Sequence, residues 1–363
     1  MGLTGAARVQ KKETMTQAVL SIDLEALVAN WRALDRCSGT STRTAAVVKA
    51  NGYGLGAARV AQALSQAGAR EFFVAQAEEG ADLRAALGPE ARIFVLGGHM
   101  SGDARLIGEA GLIPMLNSAE QIARQMAALP DAPFGVQLDS GMNRLGLEAD
   151  DWAKAAPALL AKSPALIMSH LACADEPAHE MNARQLAEFT RMTQGLDVPR
   201  SLAATGGTLL GPGYHFDMTR PGIGLYGGRP FTEARHVATL SLPVIQTRIV
   251  QPGEPVGYGN TWHAERVTKI ATISAGYADG IHRVLSNLPH LYAGETPCPL
   301  RGRVSMDLLT VDVTDLAEVP ETLDLIGPHQ GVDALADLAG TIGYEILTGL
   351  GPRYARHYRE SLG

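Results

Sequence analysis

Lys49 closes the apolar run Val47-Val48 and opens the segment Ala50-Asn51-Gly52-Tyr53-Gly54. A lysine at the end of a buried strand is costly unless its amine has a partner or a task. Burial would also lower its pKa and free the amine to form a Schiff base. A solvated lysine at a strand end is the plainer reading and stays open at this point. Glycines 52, 54 and 56 could bring backbone N–H groups close to an anion, but they fit neither the dinucleotide fingerprint nor the P-loop pattern.

Further along lie Asp139-Ser140-Gly141-Met142-Asn143-Arg144, His170, Thr205 and Arg220-Pro221-Gly222-Ile223. Singly each has a plain explanation: a loop arginine is usually solvated, a lone histidine is more often structural, and a threonine can cap a helix. Their convergence changes the reading. An amine, a guanidinium for a carboxylate, an imidazole and a Gly-Ile turn suited to phosphate are what pyridoxal 5'-phosphate (PLP) and an amino acid would need. Two later segments, residues 274–280 around Tyr277 and residues 301–307 around Met306, add to the set. The glycines beside Tyr277 suggest a sharp turn that presents the phenol, although a core or turn tyrosine is the commoner case.

Short apolar runs at residues 45–48, 72–75, 92–96, 113–116, 134–138 and 166–169, with weaker ones near 201–204 and just before Arg220, alternate with Ala- and Leu-rich stretches at helical spacing. Eight such runs predict a (β/α)8 barrel over residues 18–240, an α/β architecture whose active site lies at the C-terminal strand ends. Residues 241–363 change to short β-rich segments with closely spaced Gly and Pro, at 242–249, 268–274, 309–313 and 322–326, which predicts a second, mostly β domain. Residues 1–17 read as a flexible N-terminus without an apolar signal region.

The net charge of -7 comes from interspersed acidic and basic residues, which argues against a nucleic-acid surface and for a small-molecule substrate. No apolar run approaches the ~20 residues of a membrane span. Cys37, Cys173 and Cys298 are odd in number and far apart, so neither a disulfide framework nor a Cys-x-x-Cys zinc site is expected, which favours the cytoplasm.

Taken in order, residues 47–54, 139–146, 169–172, 220–226, 276–280 and 305–307 resemble the motifs of the alanine racemase family, PLP-dependent enzymes of fold type III. The resemblance runs from about Ala18 to the C-terminus. It implies a homodimer whose active sites are shared between the barrel of one chain and the β domain of the other. It implies that Lys49 carries PLP and that Lys49 and Tyr277 are the two acid-base groups on opposite faces of the cofactor. It also implies that His170 and Arg220 orient and tune Tyr277. By the same resemblance, Tyr53, Thr205, Gly222 and Ile223 contact the phosphate, Arg220 faces the pyridine nitrogen, Leu96 walls the ring, and Arg144 with the Met306 backbone takes the substrate carboxylate. Interconversion of L- and D-alanine for peptidoglycan precursors is the implied role.

The sequence departs from the family pattern at Gln137, where many members have a lysine that becomes carbamylated. Gln137 itself or a bound anion would then orient Arg144. Pro352 stands where many relatives have a phosphate-binding tyrosine, with Tyr354 as the nearby substitute. Gly52, Leu55 and Ser305 replace commoner residues. Alternatives are a serine or broader-specificity racemase, a PLP-dependent decarboxylase on the same fold, and a non-catalytic PLP-binding homeostasis protein; single-barrel proteins of that last kind lack the C-terminal β domain. A dehydrogenase is disfavoured by the missing dinucleotide fingerprint, and metal hydrolysis by the lack of a spaced ligand cluster.

Overall fold

The computed structural model describes residues 17–360, so the N-terminus expected to be flexible lies, apart from Gln17, outside the described residues. The chain divides into two compact units. Of the described residues, one comprises 21–238, 331–350 and 357–360; the other comprises 17–20, 239–330 and 351–356.

The first unit is a (β/α)8 barrel. Seven strands run parallel in sequence order, Ala46–Val47, Glu71–Val74, Arg92–Val95, Ile113–Leu116, Gly135–Gln137, Ile167–Met168 and Arg200–Ser201. The eighth, Met218–Thr219, pairs in parallel with Arg43–Thr44, the earlier half of the first strand. On its other side Asp217 N–H donates to the Arg200 carbonyl at 3.0 Å and Arg220 N–H to the Ala203 carbonyl at 2.8 Å, which closes the ring. All eight strands expected from the apolar runs are therefore present; Ile113–Leu116 matches, Glu71–Val74 keeps its length one residue earlier, and the others are shorter. These strands are covered on both faces, so they read as unbroken apolar runs without alternation. Among their buried residues Glu71 is charged, and it is answered by Arg43 at 2.7 Å and Arg92 at 3.6 Å.

The surrounding helices form where apolar residues recur three and four apart. In Leu24–Ser38 the buried Leu27, Trp31 and Leu34 make one stripe, and Asp23 caps the start by accepting from Ala26 N–H at 2.8 Å. Ala57–Ala67 buries Val60, Ala61 and Leu64 in the same way. Phe73 and Phe94 stack at a centroid separation of 4.7 Å, and both are fully buried.

In the second unit Ala238–Val250 pairs antiparallel with Thr268–Ser274 and with Thr322–Ile326, and Thr268–Ser274 pairs in turn with Leu308–Asp312. The ladder slips between Val244 and Gln246, a β-bulge. A hairpin not foreseen from sequence, His290–Ala293 with Thr296–Pro299, turns through Gly294 at φ 60° and joins Thr322–Ile326. Val250, Val256, Ala264 and Ile270 form a small core against Trp262.

Replacing Phe94 by Ala removes one of two stacked rings from a closed interior. The unfolding free energy should fall by about 3–5 kcal/mol, read from urea midpoints; a loss under 1 kcal/mol would show that the barrel collapses around the gap.

Candidate active site

Lys49 directly follows the barrel strand Ala46–Val47, at its C-terminal end. Val48 N–H donates to the Phe73 carbonyl at 2.9 Å, and the chain then turns left-handed through Ala50 (φ 52°), Asn51 (φ 54°), Gly52 (φ 63°) and Tyr53 (φ 53°). Three of these four carry a Cβ, and left-handed backbone costs such residues about 1–2 kcal/mol each. Something must hold the turn. Glu79 does so from the first turn of the neighbouring helix Ala77–Leu87, accepting from Ala50 N–H at 2.6 Å with one oxygen and from Ala75 N–H at 2.7 Å with the other. The turn is closed by Gly52 N–H to the Val48 carbonyl at 2.8 Å. Lys49 is partly buried, and burial, followed by the charge of Arg144, lowers its pKa, while Glu79 opposes the change.

His170 and Arg220 also lie at the C-terminal ends of barrel strands. Arg220 is buried, and among the described residues no carboxylate pairs with it. Its guanidinium donates to Ser201 Oγ and, at 2.7 Å, to the Ser169 carbonyl, and it lies over the Phe73 ring. Burial brings its pKa down to about 10. The ring of His170 is pushed down to about 3, first by burial and then by the charges of Arg220, Arg144 and Lys49. It is therefore a neutral imidazole near pH 7, facing the same region as three cationic groups.

Thr205 opens the short helix Thr205–Leu209, and its Oγ1 accepts from Gly222 N–H at 3.0 Å and Gly224 N–H at 3.3 Å. Its own hydroxyl proton is left to donate elsewhere. A Cβ on Gly222 would lie 2.3 Å from Tyr53 Oη, so only glycine lets the phenol approach this backbone. Tyr53 stacks on Tyr226 at 4.5 Å and tilts against Tyr344 at 5.9 Å. Tyr226 is anchored by donating to the Val47 carbonyl at 3.0 Å. Burial raises the pKa of both Tyr53 and Tyr344, so each keeps its proton as a donor. Tyr354, the expected substitute phenol, is buried in the other unit with its hydroxyl unpartnered, whereas the tyrosine beside Tyr53 is Tyr344. Leu96 sits at the C-terminal end of Arg92–Val95, where its N–H donates to the Val74 carbonyl at 2.9 Å.

Arg144 rides on an exposed loop and has no hydrogen bond or ion pair among the described residues. The loop itself is fixed. Asp139 Oδ1 accepts from Gly141 and Met142 N–H at 2.8 and 2.9 Å, and Gly146, at φ 119°, lets the chain return against Asp139. Buried Gln137 donates to the Leu145 carbonyl at 3.1 Å. Its amide thus holds the main chain next to Arg144, and no bond joins it to the guanidinium.

Two expected site residues belong to the other unit. Tyr277 is 44% exposed and Met306 is 54% exposed. Their loops are joined by Tyr277 N–H to the Ser305 carbonyl and Ala278 N–H to the Met306 carbonyl, both at 3.0 Å. Sequence reasoning missed several residues that shape these surroundings: Glu79, Ser169, Ser201, Tyr226, Tyr344, Asp279 and Arg353. The Gln76 to Glu79 spacing is that of a capping box and could have revealed Glu79; Ser169, Tyr226 and Asp279 lie within the motif segments already named, and no local signal marks Ser201, Tyr344 or Arg353.

The barrel end thus offers an amine with a lowered pKa, an unpaired exposed arginine, a buried arginine without a counter-ion, and a glycine-threonine-tyrosine cradle. A phosphorylated aldehyde cofactor fits these groups: the cradle for the phosphate, Lys49 for the carbonyl carbon, and Arg220 for an electron-rich ring atom. Among the described residues no group of three or more potential metal ligands occurs. A concavity of about 1100 Å³ runs beside the helices Leu24–Ser38 and Ala57–Ala67 and is lined by none of these residues. Fold and site together define a PLP-dependent barrel enzyme.

Comparison with known proteins makes the class specific. Residues 22–230 match the alanine racemase N-terminal domain and residues 237–358 the alanine racemase C-terminal domain. An alanine racemase of Dinoroseobacter shibae is 66% identical over 344 residues, covering 95% of this chain and 99% of that protein. The alanine racemase structure from Bartonella henselae, with covalently bound pyridoxal phosphate, superposes with a TM-score of 0.89 at 39% identity over 95% of this chain and all of that one. The biosynthetic enzyme of Pseudomonas aeruginosa gives a TM-score of 0.88 at 38% identity, over 95% of this chain and 100% of that one. The chain belongs to the alanine racemase family, and it is a PLP-dependent racemase.

Gly222→Ala should weaken PLP binding at least tenfold, about 1.4 kcal/mol, in titrations of the cofactor-free protein followed by absorbance; unchanged affinity would remove Gly222 and Tyr53 from the cradle. A second expectation concerns acid stability. In the cofactor-free protein the unfolded chain protonates His170 near pH 6.5, whereas the folded chain does not until about pH 3. The unfolded state binds more protons in that window, so stability falls as pH drops through it. His170→Gln should therefore lose less stability than the parent between pH 7 and pH 5 in urea titrations; equal losses would place the acid-sensitive group elsewhere.

Proposed function

We propose that the protein interconverts L- and D-alanine, with Lys49 and Tyr277 as the two proton-handling groups, and that it works as a homodimer in the cytoplasm. The observation that carries this reading is the cationic barrel end, where Lys49 stands with a lowered pKa among Arg144, Arg220 and a neutral His170. When bound, PLP supplies an electron sink that makes the α-proton of the amino acid acidic enough to leave. Tyr53, Thr205, Gly222 and Ile223 would hold its phosphate, Leu96 would border its ring, and Arg220 would serve its pyridine nitrogen. A guanidinium does not readily give up a proton, so Arg220 would leave that nitrogen unprotonated and discourage transamination. Arg144 and the Met306 backbone hold the substrate carboxylate.

Racemisation needs a proton removed on one face and returned on the other. Lys49 Nζ handles the proton of the D-enantiomer. Its lowered pKa gives a free amine nearer to neutral pH than an ordinary lysine allows. Tyr277 Oη, from the second chain, handles the proton of the L-enantiomer. The exposure of Tyr277 and Met306 suits residues that complete a neighbouring chain's site. A phenol entering the region of Arg220, Arg144 and Lys49 meets positive potential, which favours its phenolate, and neutral His170 is able to share a hydrogen bond with it.

Incubating the PLP-loaded protein with L-alanine and, separately, L-serine in D2O should give rapid D-alanine with one α-deuterium, and slower serine turnover. Lys49→Ala should abolish the absorbance of the bound cofactor, whereas Tyr277→Phe should keep the colour and lose proton removal from L-alanine by at least 100-fold. Normal racemisation by Tyr277→Phe would sink the two-base assignment, and faster turnover of serine would change the substrate.

A further inference from the structure

We propose that Arg353 is a positioning residue that locks the Tyr277 loop and the Met306 loop into one rigid edge of the second unit. This rests on the reading that Tyr277 is a base and Met306 a carboxylate contact.

The strands Thr268–Ser274 and Leu308–Asp312 pair as far as Ser274 opposite Leu308. Beyond that point both chains leave the ladder, and the two loops hold each other through two backbone hydrogen bonds. They are packed so closely that a Cβ on Gly276 would lie 2.3 Å from the carbonyl oxygens of Ser305 and Met306. The carboxylate of Asp279, two residues after Tyr277, is buried; it accepts from Gly276 N–H at 2.9 Å. Arg353 answers this carboxylate with two parallel bonds, Nε to Oδ1 at 2.5 Å and Nη2 to Oδ2 at 2.7 Å. Its third nitrogen, Nη1, donates to Asp307 Oδ1 at 2.7 Å, one residue after Met306. Gly351 N–H to the Asp279 carbonyl at 3.0 Å ties the segment that carries Arg353 to the same loop.

Arg353 is therefore the one side chain among the described residues that pairs with both loops, and it is the only cation paired with buried Asp279. Only a planar fork reaches three carboxylate oxygens in this way. Its side chain is 52% exposed, so removing the fork opens no cavity in the core. What it leaves is a buried, unanswered carboxylate beside the turn that carries the phenol. The loss should fall on the placement of Tyr277, and misplacement by about 1 Å can cost about 100-fold in rate.

The test compares Arg353→Gln and Arg353→Lys in the PLP-loaded protein, with turnover measured in both directions using α-protonated and α-deuterated L- and D-alanine. Arg353→Gln should keep the cofactor absorbance and lower kcat by about 10- to 100-fold. Its primary deuterium isotope effect should rise for L-alanine, whose proton Tyr277 removes, while that for D-alanine stays the same. Arg353→Lys, which restores charge without the fork, should recover part of the rate. Asp307→Asn, at an exposed position, releases the Met306 side alone and should raise KM for alanine severalfold while kcat holds; it also covers the case in which Arg353→Gln fails to fold. Wild-type rates in Arg353→Gln, a loss with no change in either isotope effect, or an unchanged KM in Asp307→Asn would overturn the proposal. Tyr277→Phe, run alongside, separates the two failures. If it loses proton removal from L-alanine while Arg353→Gln does not, the clamp alone is wrong; if it racemises normally, the two-base reading falls first.

Discussion

A guanidinium buried at the mouth of the barrel without a carboxylate to answer it is the constraint on which the rest of the site depends. Arg220 is held by a serine hydroxyl, a main-chain carbonyl and the face of Phe73, none of which cancels its charge. A buried charge left in this state is unfavourable unless something electron-rich completes the site. Burial, and after it the charges of Arg220, Arg144 and Lys49, keeps His170 neutral, while burial and then the charge of Arg144 lower the pKa of Lys49. Burial and clustered cationic groups together give a neutral imidazole, an amine with a lowered pKa and a region that attracts anions. Glu79 is the one acidic side chain acting on Lys49, and its oxygens are engaged with backbone N–H groups.

Backbone strain appears where the cofactor must be approached. The left-handed run from Ala50 to Tyr53 carries the chain from the lysine to a phenol within one turn. Strain of this kind persists only where neighbours over-determine it. Here Glu79 holds the start, the Tyr226 ring backs the end, and the bare Gly222 leaves room for the Tyr53 hydroxyl. Rigidity on this side is built from burial.

The second unit solves a different problem. Tyr277 and Met306 must be exposed and still precisely placed for a neighbouring chain in the proposed dimer, so burial cannot fix them. Backbone hydrogen bonds between the two loops, a glycine that permits their close approach, and the Arg353 fork onto Asp279 and Asp307 take its place. An exposed surface ion pair alone contributes little. This one differs because Asp279 is buried and both oxygens are engaged in fixed geometry.

The sequence by itself determined the barrel and the residue types at its strand ends, because strands covered on both faces must be unbroken apolar runs and Lys49, His170 and Arg220 interrupt that rule where the strands stop. It also marked Thr205, Gly222 and the glycine-flanked Tyr277 as candidates, through motifs local in the chain. What only the tertiary structure decided lies between distant segments. Glu79 reaches the Lys49 turn from the next helix, Tyr344 comes to stand beside Tyr53, and Gln137 grips the main chain at Leu145. Arg353 closes on Asp279 across 74 positions of sequence. A capping-box spacing marks Glu79 as a helix start but not its reach to Lys49, and a hydrogen bond between remote segments depends on how the elements pack and on no pattern within either one.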